Sequence, residues 1–268
     1  MPTIQSNGAE IYYESHGTGP AFLFCSETAA DGEIWKLFQV PEFSKDHQVV
    51  TFDYRGTGRS GKPSIDYSTR MFCDDAVAVL DALRIDQVIV LGHSMGGRVA
   101  QLIALEYPGR VKKLILASSG ASFPGQPSLP LIMCQEMIEW GYTKYVKEHT
   151  LEVGFTDEMQ KKYPERVEEF FRRRLGNLGP VEFYLRHVLA RQAHDTSARL
   201  KDIRVPTLVL VGEEEGDPKS VISHRTSSDV LAKGIPGAKF VMLPKQKHNY
   251  LFIDPEPAHK AIRDFLAA

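Results

Sequence analysis

Short apolar runs punctuate the chain at Ala21 to Phe24, Gln48 to Phe52, Gln87 to Leu91 and Val111 to Ala117, each bounded by glycine, proline or polar residues. Runs of this length without alternation suit strands buried on both faces of a parallel sheet. Ahead of them, Gln5 to Glu14 alternates moderately and enters the turn-rich His16-Gly17-Thr18-Gly19-Pro20, which predicts a hairpin feeding the first buried strand. Segments with helical spacing lie between the runs. Cys73 to Arg84 carries Val77, Leu80 and Leu83 on one face, and Gly96 to Glu106 forms another such segment. Alternation of strand and helix predicts an α/β fold with a doubly wound, mostly parallel sheet.

The alternation lapses after Ala117. The next strand candidate, Thr207 to Val211, follows about ninety residues later, far beyond an ordinary connection. The interval is rich in helix formers and charge, with Met133 to Glu148, Asp157 to Arg174 and Val181 to Ala193 as candidate helices. The expectation is a helical cap, residues 121–202, set over the C-terminal edge of a sheet built from residues 1–120 and 203–268. Phe240 to Leu243 would be the last strand and Pro257 to Leu266 the closing helix. A chain of 268 residues can hold one large core with such an insertion, and no internal repeat divides it further.

Composition narrows the function classes. With 43% apolar residues, 25% charged residues and a formal net charge of −2, the chain offers no basic field for nucleic acid or an anionic membrane surface. No apolar run approaches the ~20 residues that span a bilayer, and Met-Pro-Thr-Ile-Gln-Ser-Asn-Gly does not read as a signal peptide; a cytoplasmic protein is expected. Cys25, Cys73 and Cys134 are too few and too scattered for a disulfide framework or a four-ligand zinc site. They read as small buried hydrophobes.

The chemistry concentrates in Val88-Ile89-Val90-Leu91-Gly92-His93-Ser94-Met95-Gly96-Gly97, a buried strand, a G-x-S-x-G turn and a helix in succession. A sharp strand-to-helix turn strains the middle residue, and small residues two before and two after prevent collision between strand and helix. Ser94 would then present its hydroxyl at the top of the sheet. The helix start would offer the Met95 amide and a positive dipole end to a developing oxyanion. The bland alternative is a tight glycine turn with Ser94 as a helix cap.

At this point the sequence resembles the α/β-hydrolase fold superfamily, and more closely its small esterase and enol-lactonase-like members carrying Gly-His-Ser-Met-Gly-Gly. The resemblance extends over almost the whole chain and includes Phe52-Asp53-Tyr54-Arg55-Gly56-Thr57-Gly58-Arg59-Ser60, similar to the family's scaffold loop D-x-R-G-x-G-x-S. It implies a triad in the order nucleophile, acid, histidine. A serine hydroxyl needs a neighbouring base, itself oriented by an acid. Of the nine histidines, His248 stands after the last strand, where the family carries its base. The acid belongs after the strand Thr207 to Val211, in Gly212-Glu213-Glu214-Glu215-Gly216-Asp217-Pro218. Counting from the glycine lands on Glu215. Residue type and the following proline favour Asp217, which is the preferred choice because a short insertion is easily absorbed in a loop. The second oxyanion donor falls in Cys25-Ser26-Glu27-Thr28, an atypical loop, on Glu27 by position with Ser26 as the fallback. A carboxylate at Glu27 would disfavour anionic substrates.

The resemblance thus implies a serine hydrolase cleaving a small-molecule ester or lactone through an acyl-enzyme on Ser94, with no metal or organic cofactor. Carbon–carbon bond hydrolases and cofactor-free haloperoxidases or perhydrolases share the triad and stay open, as does a non-catalytic ligand-binding protein on the same fold. Selectivity would lie in the cap, where Trp140, Tyr142, Tyr145, Phe155, Phe170, Phe171, Phe183 and Tyr184 offer aromatic surface, most of it packing. Arg172-Arg173-Arg174 reads as a solvated charged face. A homodimer is left open.

Overall fold

The computed structural model describes residues 2–123, 129–216 and 223–268. Eight strands form one sheet: β1 (Thr3–Ser6), β2 (Ala9–His16), β3 (Ala21–Cys25), β4 (Gln48–Phe52), β5 (Val88–His93), β6 (Val111–Ala117), β7 (Thr207–Gly212) and β8 (Lys239–Leu243). Their spatial order is β1-β2-β4-β3-β5-β6-β7-β8. The β1–β2 and β2–β4 pairs are antiparallel and every later pair is parallel. Asn7 and Gly8, at φ 43° and 78°, turn β1 into β2 in the left-handed backbone that a tight hairpin requires. The unbroken apolar runs are strands sealed on both faces: all six residues of β5 and all six of β7 are buried.

Helices α1 (Gln39–Phe43), α2 (Thr69–Ala82), α3 (Met95–Glu106), α9 (His224–Gly234), α10 (Tyr250–Ile253) and α11 (Glu256–Ala267) accompany the strands. Two apolar clusters cover the sheet. One gathers Leu23, Val50, Val90 and Leu116 with Val99 and Ile103 of α3 and Val77 and Leu80 of α2. The other gathers Phe22, Phe24, Leu91 and Ile115 with Trp35, Phe43, Ile262 and Phe265. The architecture is the doubly wound α/β sheet expected from the run pattern.

Between β6 and β7 come α4 (Leu129–Trp140), α5 (Tyr142–Gly154), α6 (Asp157–Lys162), α7 (Pro164–Gly176) and α8 (Val181–Gln192). Two of the expected helices are split. Gly141, at φ 84°, separates α4 from α5. Pro164 starts α7, the position where a missing N–H costs nothing, and ends α6 before it. These helices carry their own small core of Met133, Met137, Tyr145, Val146, Tyr184 and Val188.

Candidate active site

The site assembles where five strands end, the usual place for a ligand in an open α/β sheet. Glu27 follows β3, Ser94 follows β5, Ser118 follows β6, Glu215 follows β7 and His248 follows β8.

Ser94 holds φ 55° and ψ −117°, a conformation that costs a side-chain-bearing residue free energy and persists only where its surroundings enforce it. The enforcement is visible. Its amide donates to Ala117 O at 2.9 Å, and its carbonyl accepts from Ser119 Oγ at 2.7 Å. The flanking glycines leave no room for a side chain. A Cβ on Gly92 would stand 2.2 Å from Gly96 O, one on Gly96 would stand 2.0 Å from Cys25 O, and one on Gly97 would stand 2.4 Å from Ser119 Cβ. Strand, helix and the β3 loop thus meet backbone to backbone, and Met95 opens α3 with a first-turn amide that has no acceptor within the helix.

His248 has its partner in Glu215. Nδ1 of His248 lies 2.8 Å from Glu215 Oε2, while Oε1 accepts from Ser118 Oγ and from the Gly212 amide, both at 2.6 Å. Three donors therefore fix a carboxylate that is only 5% exposed. The loop is fixed too: the Glu215 amide closes back onto Gly212 O at 3.2 Å, and the Glu214 amide reaches Gln246 O at 2.9 Å. A glutamate three residues past Gly212 folds back within this short turn. Asp217, the acid preferred on residue type, lies outside the described residues. The carbonyl of His248 is held by His93 Nε2 at 2.9 Å, so His93 helps fix the His248 backbone. Burial and the neighbouring His248 push His93 down to about 4, keeping it neutral.

Residues that sequence reasoning did not single out complete the site. His224, which opens α9, lays its ring on that of His248 with centroids 4.1 Å apart and its Nδ1 3.7 Å from Glu215 Oε2. Burial holds it well below the usual histidine range. Arg174 corrects the reading of Arg172-Arg173-Arg174 as one solvated face. At about 100° per residue the three point to different sides of α7: Arg172 ion-pairs with Glu169 at the surface, whereas Arg174 is buried and donates to Glu27 Oε1 at 3.2 Å and to Ala29 O and Thr28 O at 2.9 Å. Glu27, itself buried, thereby has its charge answered.

A cavity of about 300 Å³ joins these parts, with Ser94, His248, Glu27 and Thr28 at one end and Met133, Tyr145, His149, Tyr184 and Arg191 of α4, α5 and α8 facing them. Gly154 ends α5 against the base loop, its carbonyl accepting from the Asn249 amide at 3.0 Å; a Cβ there would stand 2.2 Å from Asn249 Nδ2. Among the described residues, Glu27 with His93 and His248, and Glu215 with His224 and His248, bring three metal-capable atoms within 4.8 Å of one another. Both sets draw on His248, whose Nδ1 is already bonded to Glu215.

The family model for the alpha/beta hydrolase fold matches residues 20–255. The chain belongs to the α/β-hydrolase fold family. Est816, described as an N-acyl homoserine lactone degrading enzyme, superposes with a TM-score of 0.82 at 29% identity over 98% of this chain and 100% of its own. A thermophilic esterase from Thermogutta terrifontis gives 0.85 at 26% identity over 99% and 96%. In sequence, a protein of Azorhizobium caulinodans named provisionally as carbamate hydrolase RutD is 27% identical across 99% of this chain and 98% of its own length. This α/β-hydrolase is an esterase-like hydrolase; no helix among the described residues is long and apolar enough to cross a membrane.

Proposed function

We propose that the protein cleaves a carboxylic ester or lactone of a small molecule by acyl transfer through Ser94, with His248 as general base and Glu215 as the acid that orients it. The observation that carries the reading is the strained Ser94 turn sharing one cavity with a histidine bonded to a buried carboxylate. His248 takes the Ser94 proton as Oγ bonds to the carbonyl carbon, and the Met95 and Glu27 amides receive the oxyanion. Collapse breaks the C–O bond, and His248 returns the proton to the departing alcohol, which in a lactone stays tethered to the acyl group. Water then attacks the acyl-enzyme with the same base and regenerates Ser94. Helices α4 to α8 act as the cap that shapes the acyl pocket. A carbamate would pass through the same tetrahedral intermediate, and the name of the Azorhizobium relative makes it the second substrate to assay.

The test is hydrolysis of short-chain p-nitrophenyl esters and simple lactones by wild type, Ser94→Ala, Glu215→Gln and Asp217→Asn, with fluorophosphonate labelling of the nucleophile. Turnover and label should both vanish with Ser94→Ala. A wild type that neither turns over an ester, lactone or carbamate nor takes the label sinks the reading in favour of a binding protein.

A further inference from the structure

Arg191, on the cavity wall, makes no ion pair with a carboxylate among the described residues, and Arg98, close to it, has Asp195 acting on it only from beyond ion-pair distance. Arg191 of α8 lines the cavity with Thr28, Tyr145, His149 and Tyr184. Its Nη1 donates to Thr28 Oγ1 at 3.3 Å, and its Nε is buried without an acceptor. The acidic groups that face it are the phenols of Tyr184 and Tyr145, and burial lowers its affinity for its proton. Arg98, one helical turn past Ser94, is buried with Nη1 unpartnered. The two guanidiniums lie over the same Phe123 ring, 5.1 and 5.7 Å from its centroid, and Arg98 is pushed down to about 9 by burial and by Arg191.

Removing a charge from water without a counter-ion is expensive. Glu27 does not supply that counter-charge to Arg191, because Arg174 already engages it. Of the other acids on the cavity wall, Glu215 is engaged by His248, Ser118 and the Gly212 amide, while Glu136, Glu152 and Glu214 retain solvent exposure and are screened by it. The sequence-based expectation that Glu27 would repel anions is therefore weakened: the Glu27–Arg174 pair is neutral, and Arg191 is left on the cavity wall with no ion pair among the described residues.

We propose that Arg191 is the recognition point for a carboxylate on the substrate, so that the preferred ester or lactone is a monoanion. This rests on the acyl-transfer reading of the same pocket. A planar guanidinium fork matches a carboxylate in two parallel hydrogen bonds, and the Tyr145 and Tyr184 rings beside it would flank the bound group.

The experiment compares substrates that differ only in that charge. Half-esters of C5 to C8 α,ω-diacids with p-nitrophenol are set against their methyl-capped counterparts, and 4-carboxyphenyl butyrate against its methyl ester, with background hydrolysis subtracted. The expected result is a preference of at least tenfold in kcat/KM for the carboxylate member of one pair. Arg191→Gln should collapse that ratio at least tenfold, and Arg191→Lys should recover part of it. A wild-type ratio of one or below in both pairs, or a ratio that Arg191→Gln leaves intact, overturns the proposal. Should Arg191→Gln fail to fold, inhibition of wild type decides: hexanoate must compete at least tenfold better than hexanol. Calorimetric titration with pimelate separates the two failures. If no ester is cleaved and Ser94 takes no label, the acyl-transfer reading falls, while heat of pimelate binding sustains the Arg191 site and its absence removes that as well.

Discussion

The Ser94 turn and the helices α4 to α8 meet across one cavity but are specified in different ways. Around Ser94 the backbone itself is the constraint, with Gly92, Gly96 and Gly97 admitting contacts that any side chain would forbid. The helices are placed by long side chains reaching distant carbonyls and carboxylates: Arg174 to Glu27, Thr28 and Ala29, Arg166 to Ile253 O at 2.8 Å and Tyr163 to Asp254 at 3.0 Å. A reacting serine tolerates little displacement, since misplacement of about 1 Å can cost roughly 100-fold in rate. Steric closure supplies that rigidity locally, whereas a substrate pocket can be retuned one side-chain pair at a time.

The comparison breaks most visibly at Gly96. Gly96→Ala places a methyl against Cys25 O and Ser26 O, both backbone, so β3 and α3 must separate; hydrolysis should be lost, with a stability cost toward or above ~3 kcal/mol, read by thermal melting beside the ester assay. Gly176→Ala, where a Cβ meets nothing within 4 Å, should melt within a few degrees of wild type. Next in size is the acid. Glu215→Gln keeps the shape but removes the charge that orients His248, and kcat should fall on the order of 10³–10⁴. Asp217→Asn should stay within about threefold. The reverse ranking in steady-state kinetics would return the acid to Asp217.

What could be read from the sequence follows the same division. The strand-turn-helix around Ser94 was legible because its constraint is local: glycine spacing states which Cβ atoms cannot exist. Strands β4 and β6 begin and end where their apolar runs do. The place of His248, beside Glu215 at the strand ends, was legible by its station after the last strand. Glu215 and Asp217 were hard to rank because residue type and position disagree within one loop, and the hydrogen bonds that Ser118 and the Gly212 amide give Glu215 depend on the fold rather than on any local pattern. His224 left no local signal, since its ring meets His248 through the packing of α9. Arg174 was hidden in a run of three arginines, because helical phase against a partner 147 residues away decides which one is buried. The break at Gly141 was likewise missed, as an isolated glycine inside a helical pattern does not by itself end a helix.

The pocket wall should yield at Arg174. Arg174→Met leaves the Glu27 carboxylate buried beside His93, at 3.7 Å, without its cation. Breaking such a pair costs roughly 3 kcal/mol, to be measured by urea unfolding. Adding Glu27→Gln should recover most of the loss, because an amide no longer demands a counter-charge. A double variant no more stable than the single one would mean that Arg174 acts through the Thr28 and Ala29 carbonyls instead.

The smallest effect is set by pH at the junction of the two regions. Asp31, in the loop after β3, is pushed up to about 6 by burial and by Asp53, while one of its oxygens, Oδ2, is buried without a partner. A carboxyl raised in the folded state contributes stability that is complete below its unfolded value near 4 and is lost as pH rises through 6, about 3 kcal/mol in all. His93 of the turn and His187 of α8, both pushed down to about 4 by burial, act in the opposite sense. The unfolded chain binds their protons first, so their contribution is complete above about 6.5 and is lost as pH falls toward 4. Asp31 opposes these two histidines between pH 4 and 6 and is outnumbered, since burial also pushes down His149, His194, His224 and His259; wild type should therefore gain stability as pH rises across that window, less steeply than it would without Asp31. Asp31→Asn removes the opposing carboxyl, so the difference between variant and wild-type unfolding free energies should grow in the variant's favour as pH rises from 4 to 6. Parallel curves across that window would mean that Asp31 is ionised at no cost in the fold, with Arg174 and Asn177 nearby neutralising what burial imposes.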